Sequence, residues 1–265
     1  MSSSISMQDA PLSDALSSDA LSPLAHRASG ACWRVIEAQH RVSTMKITDT
    51  QAEQELLESL IEDSKPRLPP ECKGLHYLLA TPFRYGAPYP HGSRFRKAGL
   101  TPGVYYASKH VETAIAETVF WRLLFYADSP RTPWPSNAGE YTAFAVQYAT
   151  ARAIDLTRPP LDAHREAWMH PTNMDACQAV AEAARAADIA VIRYASVRDP
   201  KHRPNVALLT CRAFAVKQET ARQTWRIHLG AGGARTQCEM PKSSLDFGRT
   251  AFADDLRIAR MVWDR

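Results

Sequence analysis

Between residues 108 and 126 the chain carries apolar side chains around the whole circumference of a helix: Val111, Ala114, Ile115, Val119, Phe120, Leu123, Leu124 and Phe125. A helix that is apolar all round predicts burial, because no face of it is suited to water. The Ser108 hydroxyl can cap its first turn. The aromatic run Val104-Tyr105-Tyr106-Ala107 just ahead of it reads as a strand. One residue breaks the pattern. Glu117 falls where periodicity predicts a crowded interior, and burying a carboxylate without partners is costly. It is therefore either one half of a buried ion pair, with Arg34, Arg84, Arg94 or Arg122 as partner, or a functional acid.

Around this helix the remaining pattern is mixed. Residues 50–63 predict an amphipathic helix with Leu56, Leu57, Leu60 and Ile61 on one face, ended by Pro66, Pro69 and Pro70. Residues 174–187 predict another, with Cys177, Val180, Ala181 and Ala184 at helical spacing. Short strands are expected at 143–148, 153–156, 190–195, 205–210 and 224–229. There is no internal repeat and no central Gly/Ser linker, so the expected class is α+β, a compact mixed β-core with flanking helices. Residues 1–28, rich in Ser, Ala, Asp and Leu without a sustained period, are expected to form a mobile arm, although Leu16, Leu21 and Leu24 could dock a short helix. Residues 29–265 are expected to form one domain.

Composition excludes several classes. Apolar residues make up 45% and charged residues 23%, ordinary values for a folded soluble protein. The net charge is only +4, and the arginines are scattered, which argues against bulk nucleic-acid binding. No apolar run approaches the roughly 18–20 residues that span a bilayer, and no secretory signal is visible, so a cytoplasmic location without membrane contact is expected. The five cysteines are odd in number and show no C-x-x-C spacing. The nine histidines form no H-E-x-x-H motif, so no metal is expected.

Three further segments carry chemistry. In Gly92-Ser93-Arg94-Phe95-Arg96 the two arginines alternate with Phe95, so in extended chain they share one side and could grip a pyrophosphate. The alternative is a pair of surface or structural salt-bridge arginines. Ser196 follows the apolar run Val191-Ile192-Arg193-Tyr194-Ala195. With no G-x-S-x-G elbow, it suits a ligand-orienting hydroxyl better than a nucleophile. Gly230-Ala231-Gly232-Gly233-Ala234-Arg235 lacks the order of a phosphate loop and reads as a glycine-rich turn.

In order, Trp33-Arg34, the Gly92–Arg96 segment, Tyr106-Ala107-Ser108, Glu117, Cys177-Gln178-Ala179-Val180, and Arg193 to Asp199 followed by Asn205 resemble the RES-domain family over residues 31–215, with an insertion at about 45–82. The family is named for an Arg, a Glu and a Ser. The resemblance implies a fold of the diphtheria-toxin ADP-ribosyltransferase type. It also implies the toxin of a bacterial toxin–antitoxin pair, which consumes NAD⁺ as substrate and passes ADP-ribose to phosphate, water or a protein. By that resemblance Arg34, Tyr106, Glu117 and Ser196 are the catalytic positions. Arg84, Arg94, Arg96, Tyr106 and Asn205 bind the dinucleotide, with Arg84 competing with Arg34 for the key arginine role. The implied partners are a cognate antitoxin with a DNA-binding domain and, in one branch, a host protein acceptor. The chemistry suits the residues: breaking the nicotinamide–ribose bond builds positive charge on the sugar, which a carboxylate stabilises. Two other classes remain open, a module that binds an adenine dinucleotide without turnover, and a nucleic-acid binder.

Overall fold

Strand β1 (His26–Glu37) runs antiparallel to β3 (Gly139–Asp155), in register from Ala28 opposite Thr150 to Glu37 opposite Tyr141, with a register shift before His26 pairs with Ala153. This long ribbon organises the molecule. The structure is a computed structural model that describes residues 16–38, 44, 47–84 and 90–265. β3 is long enough to serve two neighbours on its other side. Its first half pairs antiparallel with β6 (Ala221–Gly230) and its last three residues pair parallel with β4 (Val191–Ala195). β4 then pairs with β5 (Pro204–Leu208), β5 with β2 (Tyr105–Ser108), and β2 returns to β1 through Trp33 opposite Ser108. Five strands thus close a ring, and a meander of β6, β7 (Gly233–Cys238) and β8 (Ser243–Gly248) extends from it into one eight-stranded sheet.

The helices form where the apolar period demands them. Among the described residues they are, in chain order, α1 (Ser18–Leu21), α2 (Gln51–Ser64), α3 (Tyr77–Ala80), α4 (Val111–Asp128), α5 (Arg165–Met169), α6 (Asp175–Ala186) and α7 (Leu256–Ala259). α4 is the apolar helix. Its Ile115, Val119, Phe120 and Leu123 are fully buried against Ala143, Trp225 and Ile227 of the sheet and against Phe252 and Ile258 near the C-terminus. Each such side chain contributes about 1.5–3 kcal/mol by leaving water. Burial is nonetheless not complete round the helix, since Trp121 and Phe125 are half exposed. α6 buries Cys177, Val180, Ala181 and Ala184 against Ile154, Ile192 and Ala207 on the other flank.

Several expectations need correction. Ser108 is not a cap: it lies inside β2 opposite Asn205, and α4 starts after His110. The strands expected at 143–148 and 153–156 are one continuous strand, because β1 pairs across the polar stretch between them. Residues 16–28 do not form an arm but dock through a short helix, the alternative offered by Leu16, Leu21 and Leu24. Ser17 caps α1, Leu21 is fully buried among the residues around α6, and β1 already starts at His26. Residues 1–15 of the expected arm lie outside the described residues. α2 forms as expected, with a capping box between Thr50 and Glu53. Its apolar face is uncovered, leaving Leu56 and Leu60 exposed. The glycine-rich segment is the tight connection of the β6–β7 hairpin. There Gly233 has φ +118°, and a Cβ would meet Phe247 O at 2.1 Å.

Candidate active site

A cavity of about 620 Å³ opens where β1, β2 and β5 meet the first half of α4, a size within the range of small-molecule sites. Its lining brings together Arg34, Arg94, Tyr106, Glu117 and Asn205 from five separate stretches of chain. Strand register explains the convergence: Trp33 of β1 lies opposite Ser108 of β2, and Ser108 opposite Asn205 of β5.

Glu117 is fixed by two donors on one oxygen. Ser196 Oγ donates to Oε1 at 2.6 Å and Asn205 Nδ2 donates to the same atom at 2.7 Å. Among the described residues neither Arg34 nor any other arginine forms an ion pair with it, and Arg122 pairs with Glu37 instead. The carboxylate is therefore held by neutral groups rather than by a cation. Ser196 itself is fully buried and does not line the cavity. Its Oγ accepts the N–H groups of Arg198 and Asp199 at 3.2 and 2.9 Å, which aims its single proton at Glu117. Tyr194 lines the cavity nearby. Burial, reinforced by the Glu117 charge, holds its phenol well above its ordinary pKa, so it remains a donor.

Arg34 is the cation with unanswered capacity. Its guanidinium lies 4.9 Å from the centroid of the Tyr105 ring, and its Nη1 is shielded from water with no hydrogen-bond partner. Burial pushes its pKa down, partly countered by the neighbouring Tyr105 and Cys32. A buried donor without an acceptor is unfavourable unless a ligand supplies one. Asn205 Oδ1 is a second buried atom without a partner.

The arginines of the Gly92–Arg96 segment do other work than expected. Ser93 and Arg96 exchange backbone hydrogen bonds at 2.7 and 3.1 Å, so the segment is a tight turn rather than extended chain. Gly92, at φ +65°, admits it. Arg94 and Arg96 therefore diverge. Arg94 borders the cavity, but its terminal nitrogens donate to Trp168 O and His170 O. Arg96 donates to Thr101 Oγ1 and Thr101 O and lies outside the lining. Arg84 is also remote from the cavity: it pairs with Glu62 and donates to Pro66 O at 2.9 Å. Tyr106 presents its ring, while its hydroxyl is already engaged, accepting from Phe95 N–H at 2.9 Å and sharing a hydrogen bond with Ser93 Oγ at 2.8 Å.

Sequence reasoning missed four lining residues as site candidates: His91, Trp121, Arg198 and Arg257. Of these only Arg198 had a signal in the sequence, since it lies in the Arg193 to Asp199 segment that carries the family resemblance. Among the described residues no cluster of three or more His, Cys, Asp or Glu is placed to hold a metal, and no helix is long and apolar enough to cross a membrane.

Residues 67–230 match the sequence profile of the RES domain. The chain belongs to the RES family. The matched span holds Tyr106, Glu117, Ser196 and Asn205, whereas Arg34 precedes it and Arg257 follows it. No curated protein matches the chain. Among solved structures, the crystal structure of the M. tuberculosis MbcT-MbcA toxin-antitoxin complex superposes with a TM-score of 0.46 at 12% identity, over 82% of this chain and 94% of that one.

Proposed function

We propose that this RES-family protein is the toxin of a toxin–antitoxin pair, and that it binds NAD⁺ in the Glu117 cavity and cleaves the nicotinamide–ribose bond. The observation that carries the reading is the Glu117 carboxylate. Ser196 and Asn205 orient it through Oε1, and among the described residues no protein donor reaches Oε2. As the C–N bond breaks, its electron pair leaves with nicotinamide, which departs neutral, and positive charge develops on the ribose ring. A fixed carboxylate stabilises that charge where it appears, and needs no reorganisation to do so.

The other groups fall into supporting roles. Arg34 Nη1 supplies the missing donor for a phosphate or carboxamide oxygen. Tyr106 offers a ring face for the nicotinamide end, its hydroxyl being used to hold the Ser93 turn. An acceptor oxygen then bonds to the anomeric carbon, and its proton, where it has one, passes to solvent. Phosphate, water and a protein side chain all fit this scheme, as phosphorolysis, hydrolysis or ADP-ribosylation. The likeness to diphtheria-toxin-type transferases belongs to the same proposal, as does the organisation of residues 29–265 as one catalytic unit. So does a cognate antitoxin that covers the cavity mouth.

The test is nicotinamide release from NAD⁺ by the intact protein, with and without orthophosphate. Wild type should release nicotinamide, and Glu117→Gln should reduce the rate at least about a hundredfold with an unchanged melting temperature. Binding of NAD⁺ with no product under any acceptor condition would instead support a non-catalytic dinucleotide-binding module and sink the enzymatic reading.

A further inference from the structure

The residues expected to neutralise a pyrophosphate, Arg94 and Arg96, are committed to carbonyl and threonine oxygens, so a second cation to work beside Arg34 must come from elsewhere. The C-terminal segment, which lies beyond the RES-matched span, supplies it. Asp255, 2% exposed, caps α7 and sits between two guanidinium groups. Arg257 closes a fork on it, Nε to Oδ1 at 2.9 Å and Nη2 to Oδ2 at 2.7 Å, while Arg198 Nη1 reaches Oδ2 at 3.0 Å. One carboxylate therefore serves two cations.

The two arginines differ in availability. Arg198 is only 6% exposed, donates its other terminus to Pro171 O and lies with Cζ 3.8 Å from the Phe120 ring centroid. Arg257 is 40% exposed and lines the cavity. Of its five N–H groups the fork on Asp255 uses two, so three remain. Asp128 acts on it electrostatically but forms no ion pair with it among the described residues. A guanidinium held in place by a buried carboxylate loses little rotamer freedom when a second anion docks on its outer edge.

We propose that Arg257 forms a phosphate subsite of the cavity, contributed by the C-terminal segment and oriented by Asp255. The subsite takes a phosphate group, either the pyrophosphate of the dinucleotide or free orthophosphate acting as acceptor. The assignment of these particular ligands rests on the NAD⁺ reading above.

Equilibrium binding of ADP-ribose, orthophosphate and adenosine to the intact chain tests it, with Arg257→Ala and Arg257→Lys compared to wild type. If the subsite holds the pyrophosphate, Arg257→Ala weakens ADP-ribose about tenfold or more. If it holds the acceptor, the same loss appears for orthophosphate and for the orthophosphate KM of nicotinamide release, with ADP-ribose unaffected. Arg257→Lys, which keeps the charge without the fork, falls between. Adenosine, having no phosphate, binds all three proteins alike. Equal weakening of all three ligands would reduce Arg257 to a structural prop for Asp255 and overturn the proposal, as would failure of wild type to bind either phosphate ligand, or binding of both unchanged in Arg257→Ala. The outcomes separate from those of the reaction itself. Arg257-dependent ADP-ribose binding without nicotinamide release keeps the subsite and removes the enzyme, whereas nicotinamide release indifferent to Arg257 does the reverse.

Discussion

The Thr113 hydroxyl donates to Asp199 Oδ2 at 2.7 Å, one helical turn before Glu117 on the same face of α4. The loop after β4 is thereby docked on α4 at three successive turns. Asp199 meets Thr113, Ser196 meets Glu117, and Arg198 stacks on Phe120. The Glu117 carboxylate lies between two anchor points, so its geometry is set by the loop rather than by its own rotamer preference.

That docking predicts an acid-sensitive stability. Burial opposes the Asp199 charge, but the Arg203 fork, the Lys201 N–H and the Thr113 hydroxyl outweigh it and hold the carboxyl below its usual range. A lowered folded-state pKa adds stability that is fully present above the unfolded value near 4 and is lost as pH falls through the folded one. Asp199→Asn should therefore cost about 1–3 kcal/mol at pH 7, with the difference from wild type shrinking toward pH 3. Urea unfolding across that range measures it. A difference that does not vary with pH would show that Asp199 contributes shape and not charge.

Arg34 predicts the opposite sign. Its Nη1 is shielded and unpartnered, an arrangement that serves a ligand at the expense of the empty protein. The stacking on Tyr105 offsets only part of this cost. Arg34→Met should raise the melting temperature of the ligand-free protein, by about 2–4 °C for each kcal/mol recovered, while abolishing the further rise that NAD⁺ or ADP-ribose produces in wild type. Thermal unfolding with and without ligand reads both effects. A fall in the ligand-free melting temperature would mean that Arg34 is a structural residue.

What the sequence discloses follows from range. α4 and α6 are local, periodic and apolar, so their positions are readable, as is the anomaly of Glu117 within α4. β3 is not readable as one strand, since its Thr150–Arg152 stretch is extended only because β1, more than a hundred residues earlier, pairs across it. The divergence of Arg94 and Arg96 depends on a turn permitted by Gly92, clamped by Gln178 Nε2 on Ser93 O at 3.1 Å, and so on contacts 85 residues apart. Asp254-Asp255-Leu256-Arg257 looks like ordinary surface charge. Only the fold buries Asp255 and turns Arg257 toward the cavity. Ser196 and Asn205 were legible through the family resemblance, while their shared bond to a single Glu117 oxygen required the closed ring of strands.

The cysteines give a further prediction. All five are free and buried, and burial pushes the Cys32 thiol up to about 12 and those of Cys72, Cys177 and Cys211 upward as well. Thiolates are the reactive species, so the native protein should be inert to a thiol reagent at pH 8 and the unfolded protein should titrate five groups. Stoichiometric labelling of the native chain within minutes would contradict the packing described for these residues.

Ser196 separates an orienting hydroxyl from a nucleophile. A serine nucleophile needs a base to take its proton, yet its Oγ proton is directed at the carboxylate proposed to stabilise the ribose charge, and the adjacent His202 ring contacts Ser196 O rather than Oγ, with Nδ1 at 2.9 Å. Ser196→Ala should therefore lower the rate of nicotinamide release about tenfold, through loss of one of the two bonds that orient Glu117, without eliminating it. Asn205→Ala should have a similar effect, and the double variant should lose more than either, because the last donor to Oε1 is then gone. An active-site-directed phosphonate should leave Ser196 unmodified. Complete loss of turnover in Ser196→Ala together with covalent labelling of that residue would assign it the bond-forming role and move Glu117 into support.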